Sequence, residues 1–214
     1  MGILKNGILG ETSGKIANTV SYMLNDVNVV RTIGKNNHPP TDAQLANRMR
    51  TSLTAKLLRP IKGLIDVTFK SLKFTQKDYA YNAATSYLKK NATQGEYPNI
   101  SIDFSKVRIA QGDLMEALNP KVEVSEKGLL FSWDIDDKLE YNRKRDQVIV
   151  LAYTSQDSAY FLPSGARRSD GQQLLELKRF SKERNFETYI AFISDDRKEI
   201  SNSQYLGNIK IPAM

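Results

Sequence analysis

The period of apolar and polar positions changes along the chain, and the changes mark its elements. Two β-prone runs, Ile16–Leu24 and Val27–Ile33, flank Asn25-Asp26. Branched and aromatic side chains favour strands, and an Asn-Asp pair between two such runs suits a tight hairpin turn. A lone two-stranded hairpin is marginal in water, so this one is expected to lie on another surface, its own or a partner's. The stretch before it, from Asn6 to Lys15, carries Gly7, Gly10 and Gly14 and is expected to be extended or looped.

From Thr41 the period becomes helical. Thr41-Asp42-Ala43-Gln44 has the spacing of a capping box, in which the threonine hydroxyl accepts from the amide three residues on. Ala46, Met49, Leu53 and Leu57 then fall on one face, while Arg48, Lys56, Arg59 and Lys62 project from the other. Pro60 breaks or bends that helix, because proline offers no amide hydrogen. Further helices are predicted over Ile61–Leu72 and Thr75–Asn91. After Gly95 alternation replaces the helical period, and Ile100, Ile102 and Phe104, followed by Val107 and Ile109, predict two short strands.

Gln111–Pro120 reads as a linker. Beyond it, apolar runs recur at Lys121–Val124, Gly128–Ile135, Gln147–Thr154, Ala159–Leu162, Gln173–Leu177, Phe186–Ile193 and Tyr205–Ile211, the number and spacing of a β-sandwich. The expected architecture is α+β: an N-terminal β-hairpin with a small helical region over residues 1–118, then a seven-stranded sandwich over residues 119–214. The order of large side chains resembles a fibronectin type III domain. Leu130-Phe131-Ser132-Trp133 is similar to that family's second strand, Tyr153 closes the third and Leu177 the fifth, and Tyr189 stands where the family keeps its corner tyrosine. The resemblance implies a tryptophan between the sheets and a tyrosine hydroxyl bonded back to a nearby loop.

Composition narrows the function classes. Of 214 residues 40% are hydrophobic and 26% charged, which suits a folded globular protein. Cysteine is absent, so disulfides, thiolate zinc sites and cysteine nucleophiles are excluded. No apolar run is long enough to span a bilayer and no Sec-type leader is evident, so the expected location is the cytoplasm or a particle released by another route. The net charge of +7 is carried by the first third: from Met1 to Thr75 there are 11 Lys and Arg against 4 Asp and Glu. Such a segment favours nucleic acid, an anionic surface or an acidic partner. The candidate anion- or partner-binding residues are Lys15, Arg31, Lys35, Arg48, Lys56, Arg59 and Lys62, with Arg50 beside them.

Catalytic chemistry finds little support. Gly10-Glu11-Thr12-Ser13-Gly14-Lys15 resembles a phosphate loop, but its glycines are one residue too close, Ile16 follows the lysine, and a strand rather than a helix comes next. His38, the single histidine, lies in a proline turn and reads as a surface residue. Asp134, Asp136, Asp137 and Glu140 lack the glycine and terminal glutamate of a calcium loop. Asp195-Asp196-Arg197-Lys198 reads as the turn between the last two strands. No catalytic residue, metal ligand or cofactor is assigned.

Asn6-Gly7-Ile8-Leu9-Gly10, Ser13-Gly14-Lys15-Ile16-Ala17-Asn18, Val29-Val30-Arg31, Ile102-Asp103-Phe104-Ser105-Lys106-Val107 and Ser201-Asn202-Ser203-Gln204-Tyr205-Leu206-Gly207 resemble a domain family of unknown function from Bacteroidota. The span from Val29 to Arg48 also resembles small phage-type structural proteins, although the tryptophans usual there are missing. The first resemblance implies a family without an assigned activity. The hairpin that needs cover and the display-type sandwich lead to the expectation of a non-enzymatic structural or interaction protein, whose partner is a protein: its own copies or a larger assembly. The alternatives are a nucleic-acid-binding protein using the basic first third and a carbohydrate-binding accessory module.

Overall fold

A computed structural model describes residues 3–4, 10–35, 38–69, 78–136, 138–154, 158–178 and 180–212. The chain divides into two compact units, residues 1–41 and 42–214. The first is an antiparallel meander of β1 (Ile3–Leu4), β2 (Thr12–Ile16), β3 (Thr19–Leu24) and β4 (Val27–Thr32), hydrogen-bonded in that order. Both tight turns use left-handed backbone. Asn25 and Asp26 have φ of 49° and 63°, the pair of positive values that matches the twist of a two-residue hairpin, and Ala17 has φ of 49°. The run expected as one strand from Ile16 to Leu24 is therefore two, folded at Ala17-Asn18, where Thr19 Oγ1 donates to Ile16 O at 2.9 Å. Glycine concealed the extra strand: Gly14 sits inside β2, opposite Ser21.

The second unit opens with α1 (Asp42–Leu58), a 3₁₀ turn at Arg59–Ile61 and α2 (Lys62–Thr68), followed by α3 (Asp78–Asn91). Pro60 ends α1 as expected, since the turn it occupies needs no amide from it. Of the stretches expected to be helical, residues 70–72 and 75–77 fall outside the described residues. A short β5–β6 pair (Thr93–Gln94, Ser101–Ile102) follows, but no strand forms at Val107 to Ile109. There the backbone bonds to an irregular neighbour instead: Ile109 N–H donates to Ser203 Oγ at 3.0 Å, and Ala110 O accepts from Ser203 N–H at 3.1 Å.

Seven strands complete the unit: β7 (Leu118–Ser125), β8 (Gly128–Asp134), β9 (Gln147–Thr154), β10 (Ser158–Leu162), β11 (Gln172–Glu176), β12 (Arg184–Ile193) and β13 (Gln204–Ile211). A one-turn helix, α4 (Tyr141–Lys144), lies between β8 and β9. The sheets are β11-β8-β7 and β10-β9-β12-β13. In an immunoglobulin constant domain the fourth strand joins the sheet of the first, second and fifth. Here β10 pairs with β9 instead, so the sandwich is divided into sheets of three and four strands.

Two cores lie on opposite sides of the four-stranded sheet. Between the sheets, Phe131, Trp133, Val148, Val150, Phe186, Ile190 and Phe192 pack together, with Trp133 edge-on to Phe192 at 5.3 Å. On the outer face, Ile149, Leu151, Tyr153, Tyr189, Ala191 and Ile193 pack with Leu57, Leu58, Ile61, Leu64, Ile65, Ala84 and Leu88 of the helices. Strand β9 is consequently buried along nearly its whole length, which accounts for its unbroken apolar sequence from Val148 to Tyr153. The boundary expected at 118/119 falls inside this unit, because the helices and the sheet share one core.

Tyr189 belongs to the outer core. Its hydroxyl donates to Phe104 O at 2.8 Å, so it ties the sheet to the segment after the helices rather than to a loop of the sandwich. Burial pushes this phenol well above the usual tyrosine range, as burial and the Glu187 carboxylate do for Tyr205. Gly128, with φ of 151° at the start of β8, is held by space as well: a Cβ there would lie 2.1 Å from Leu175 O.

Candidate functional site

The seven basic candidates are divided between the units. Lys15, Arg31 and Lys35 lie in the first, Arg48, Lys56, Arg59 and Lys62 in the second, and all are solvent-exposed. On the first sheet Lys15 pairs with Val20 and Val20 with Arg31, so side chains of this row share one face across β2, β3 and β4. Arg31 also lies over the Tyr22 ring, 5.8 Å from its centroid. Arg48, Lys56 and Arg59 follow the outer side of α1 and its terminal turn. Arg50, by contrast, is half-buried.

The first sheet has an unusual balance of burial. Among its described residues only Ser21 is buried, while Tyr22, Met23, Leu24, Val27 and Val30 are exposed, together with Ile33 just past β4. Leu24 and Val27, which flank the second turn, are 53% and 62% exposed. Register separates these side chains by face: Tyr22, Leu24, Val27 and Val29 lie on the face of the basic row, and Met23 and Val30 on the other. Neither face alone is purely polar, which distinguishes this sheet from an ordinary solvent-covered meander.

At one end of the sandwich, α4 and the 194–199 loop enclose a cleft of about 510 Å³. It is charged, and two ion pairs cross it: Arg143 meets Glu199 at 2.5 Å and Arg145 meets Asp195 at 2.8 Å. At its base Asp146 is buried and faces the equally buried Arg168 at 3.4 Å. Burial holds the Asp146 carboxyl above the usual carboxylate range despite the guanidinium, and burial likewise lowers Arg168. Arg168 donates to the carbonyls of Met115 and Glu116 at 2.6 and 3.1 Å, and its guanidinium carbon lies 3.7 Å from the Phe192 ring centroid. Its own carbonyl accepts from Trp133 Nε1 at 2.8 Å.

Arg168 was not legible as a special position. In sequence it is one of two adjacent arginines in a loop, and nothing local distinguishes it from the exposed Arg167. The partners of Arg168 come from four separate segments, at Met115-Glu116, Trp133, Asp146 and Phe192. Asp195-Asp196-Arg197-Lys198 forms the expected turn after β12, with Ser194 Oγ donating to Asp196 at 2.7 Å. Asp137 lies outside the described residues, and among the described residues no group of three or more acidic or histidine side chains is gathered as for a metal ion. His38 is exposed.

Comparison with protein families matches residues 8–207 to DUF6266, a family of unknown function. The chain belongs to this family. The match reaches from before β2 into β13, so DUF6266 spans the N-terminal meander, the helices and the sandwich together. No curated protein and no solved structure matches the chain significantly. Among the described residues, no helix is long and apolar enough to cross a membrane.

Proposed function

We propose that this DUF6266 protein is a non-enzymatic structural component, which joins its own copies or a larger assembly through the N-terminal sheet and the basic helix and presents a fibronectin type III-like sandwich. The observation that carries this reading is the first sheet, which buries no large apolar side chain among its described residues and exposes six in and just after β3 and β4. Apolar surface of that kind gains free energy when a partner removes it from water. The two ion pairs across the cleft, Arg143 with Glu199 and Arg145 with Asp195, are consistent with a scaffold, because they occupy charges that a ligand would otherwise meet.

Mass in solution provides the test. The full chain is expected to self-associate, or to co-purify in an assembly, and removal of residues 1–41 is expected to leave a monodisperse monomer. Monodisperse monomers before and after the deletion, with nothing co-purifying, contradict the proposal.

The row of Lys15 and Arg31, with Arg48, Lys56, Arg59 and Lys62 exposed on α1 and beyond, favours nucleic-acid binding as the second reading. That reading predicts an affinity for duplex DNA or RNA that falls by about 10³-fold or more between 50 and 200 mM salt, as released counterions require for six or more phosphate contacts. Replacing Arg48, Lys56, Arg59 and Lys62 with alanine abolishes binding if it holds. The assembly reading predicts weak binding that these changes barely alter, measured by fluorescence anisotropy.

A further inference from the structure

Strand β4 is the open edge of the first sheet. Its register defines which backbone groups face outward. The two-residue turn makes Leu24 and Val27 a hydrogen-bonded pair, and alternation then directs the backbone of Val27, Val29 and Arg31 toward β3. Ile33 N–H donates to Asn18 O at 2.7 Å and fits the same alternation. The amides and carbonyls of Asn28, Val30 and Thr32 therefore point away from the sheet, and among the described residues nothing pairs with them.

Sheet edges of this kind are usually protected by lysine, proline or a bulge. Strand β4 has none of these: its register with β3 is unbroken, and its single charge is Arg31. Val27, Val30 and Ile33 are 62%, 57% and 41% exposed. Their spacing is symmetric about Val30, and the polar Asn28 and Thr32 are placed symmetrically as well.

That symmetry identifies the occupant. We infer that β4 pairs antiparallel with β4 of a second copy of this chain, about a two-fold axis through Val30. This inference rests on the assembly reading and specifies its partner. In this register Val30 faces Val30, each Val27 faces an Ile33, and each Asn28 faces a Thr32. All of the outward backbone groups find partners, and every exposed apolar residue of the edge meets another. Arg31 faces Val29. The neighbouring registers are poorer: an axis through Val29 sets Val27 against Arg31, and an axis through Arg31 opposes two like charges, which destabilises a cross-strand pair. A two-fold contact is necessarily self-complementary, and this edge has that property.

The absence of cysteine makes the test direct. Residues in a hydrogen-bonded antiparallel pair have Cα atoms about 5.5 Å apart, within the range of about 4.4–6.8 Å that a disulfide spans. Under mild oxidation Val30→Cys is expected to become a covalent dimer, whereas Val27→Cys, whose mate is Ile33, remains mostly uncrosslinked. The unmodified chain is expected at twice its 24.2 kDa. Val30→Lys, which opposes two ammonium groups on the axis, returns it to monomer with an unchanged circular dichroism spectrum. A chain that stays monomeric over a dilution series, or equal crosslinking at positions 27 and 30, overturns the inference. Self-association that survives Val30→Lys but disappears without residues 1–41 overturns this edge pairing while leaving the assembly reading intact.

Discussion

Residues 42–214 expressed alone are expected to unfold cooperatively in urea, whereas residues 119–214, the sandwich by itself, are expected not to fold. The difference lies in the outer face of the four-stranded sheet. Ile149, Leu151, Tyr153, Tyr189 and Ile193 are all at most 5% exposed, and the helices before residue 92 provide much of their cover. Burying a large apolar side chain is worth about 1.5–3 kcal/mol, so uncovering five costs roughly 8–15 kcal/mol as an upper estimate. That matches or exceeds the whole stability of a typical domain, about 5–15 kcal/mol. Circular dichroism and a hydrophobic dye distinguish the fragments. A cooperative transition in residues 119–214 with little dye binding would show that the helices are dispensable.

Arg168→Ala is expected to cost about 3–5 kcal/mol in urea unfolding, the range for removing one member of a buried ion pair. Three losses combine in it: the charge facing Asp146, the two bonds to Met115 and Glu116, and the contact with Phe192. The double change Arg168→Met with Asp146→Leu is expected to recover a substantial part, since it leaves no buried charge unpaired. The sign with pH follows from Asp146. Its carboxyl is already raised by burial, and without Arg168 it rises further. A group whose folded value is raised supports the fold below its unfolded value and loses that support as pH increases through the folded one. The deficit of Arg168→Ala relative to the parent should therefore shrink as pH falls through the raised carboxyl's range toward the ordinary aspartate value. A deficit that is the same at every pH would mean that Asp146 is not the group left unpaired.

Legibility differs from element to element. The hairpin turn at Asn25-Asp26 was readable because local backbone preference and the flanking apolar runs agree there, and Pro60 was readable for a similar reason. β2 was obscured by Gly14, and the turn at Ala17-Asn18 has no glycine to announce its positive φ. In the sandwich, the seven strands and Trp133 were visible in the spacing. The role of Tyr189 was not, because its hydroxyl partner lies 85 residues upstream. A signal for the covered outer face did exist, in the unbroken apolar runs of β9 and of Tyr189–Ile193, where a half-exposed strand would alternate.

The sequence by itself determined the α+β class, the order of most elements, the uneven distribution of charge and the apolar residues that the first sheet exposes. Those features depend on local preference and on composition, which act over a few residues. Only the tertiary structure decided that the helices and sandwich are one unit, that Arg168 is buried while Arg167 is exposed, and that β4 presents its backbone to an open edge. Each of those depends on segments far apart in the chain meeting face to face, and no local pattern encodes which faces meet.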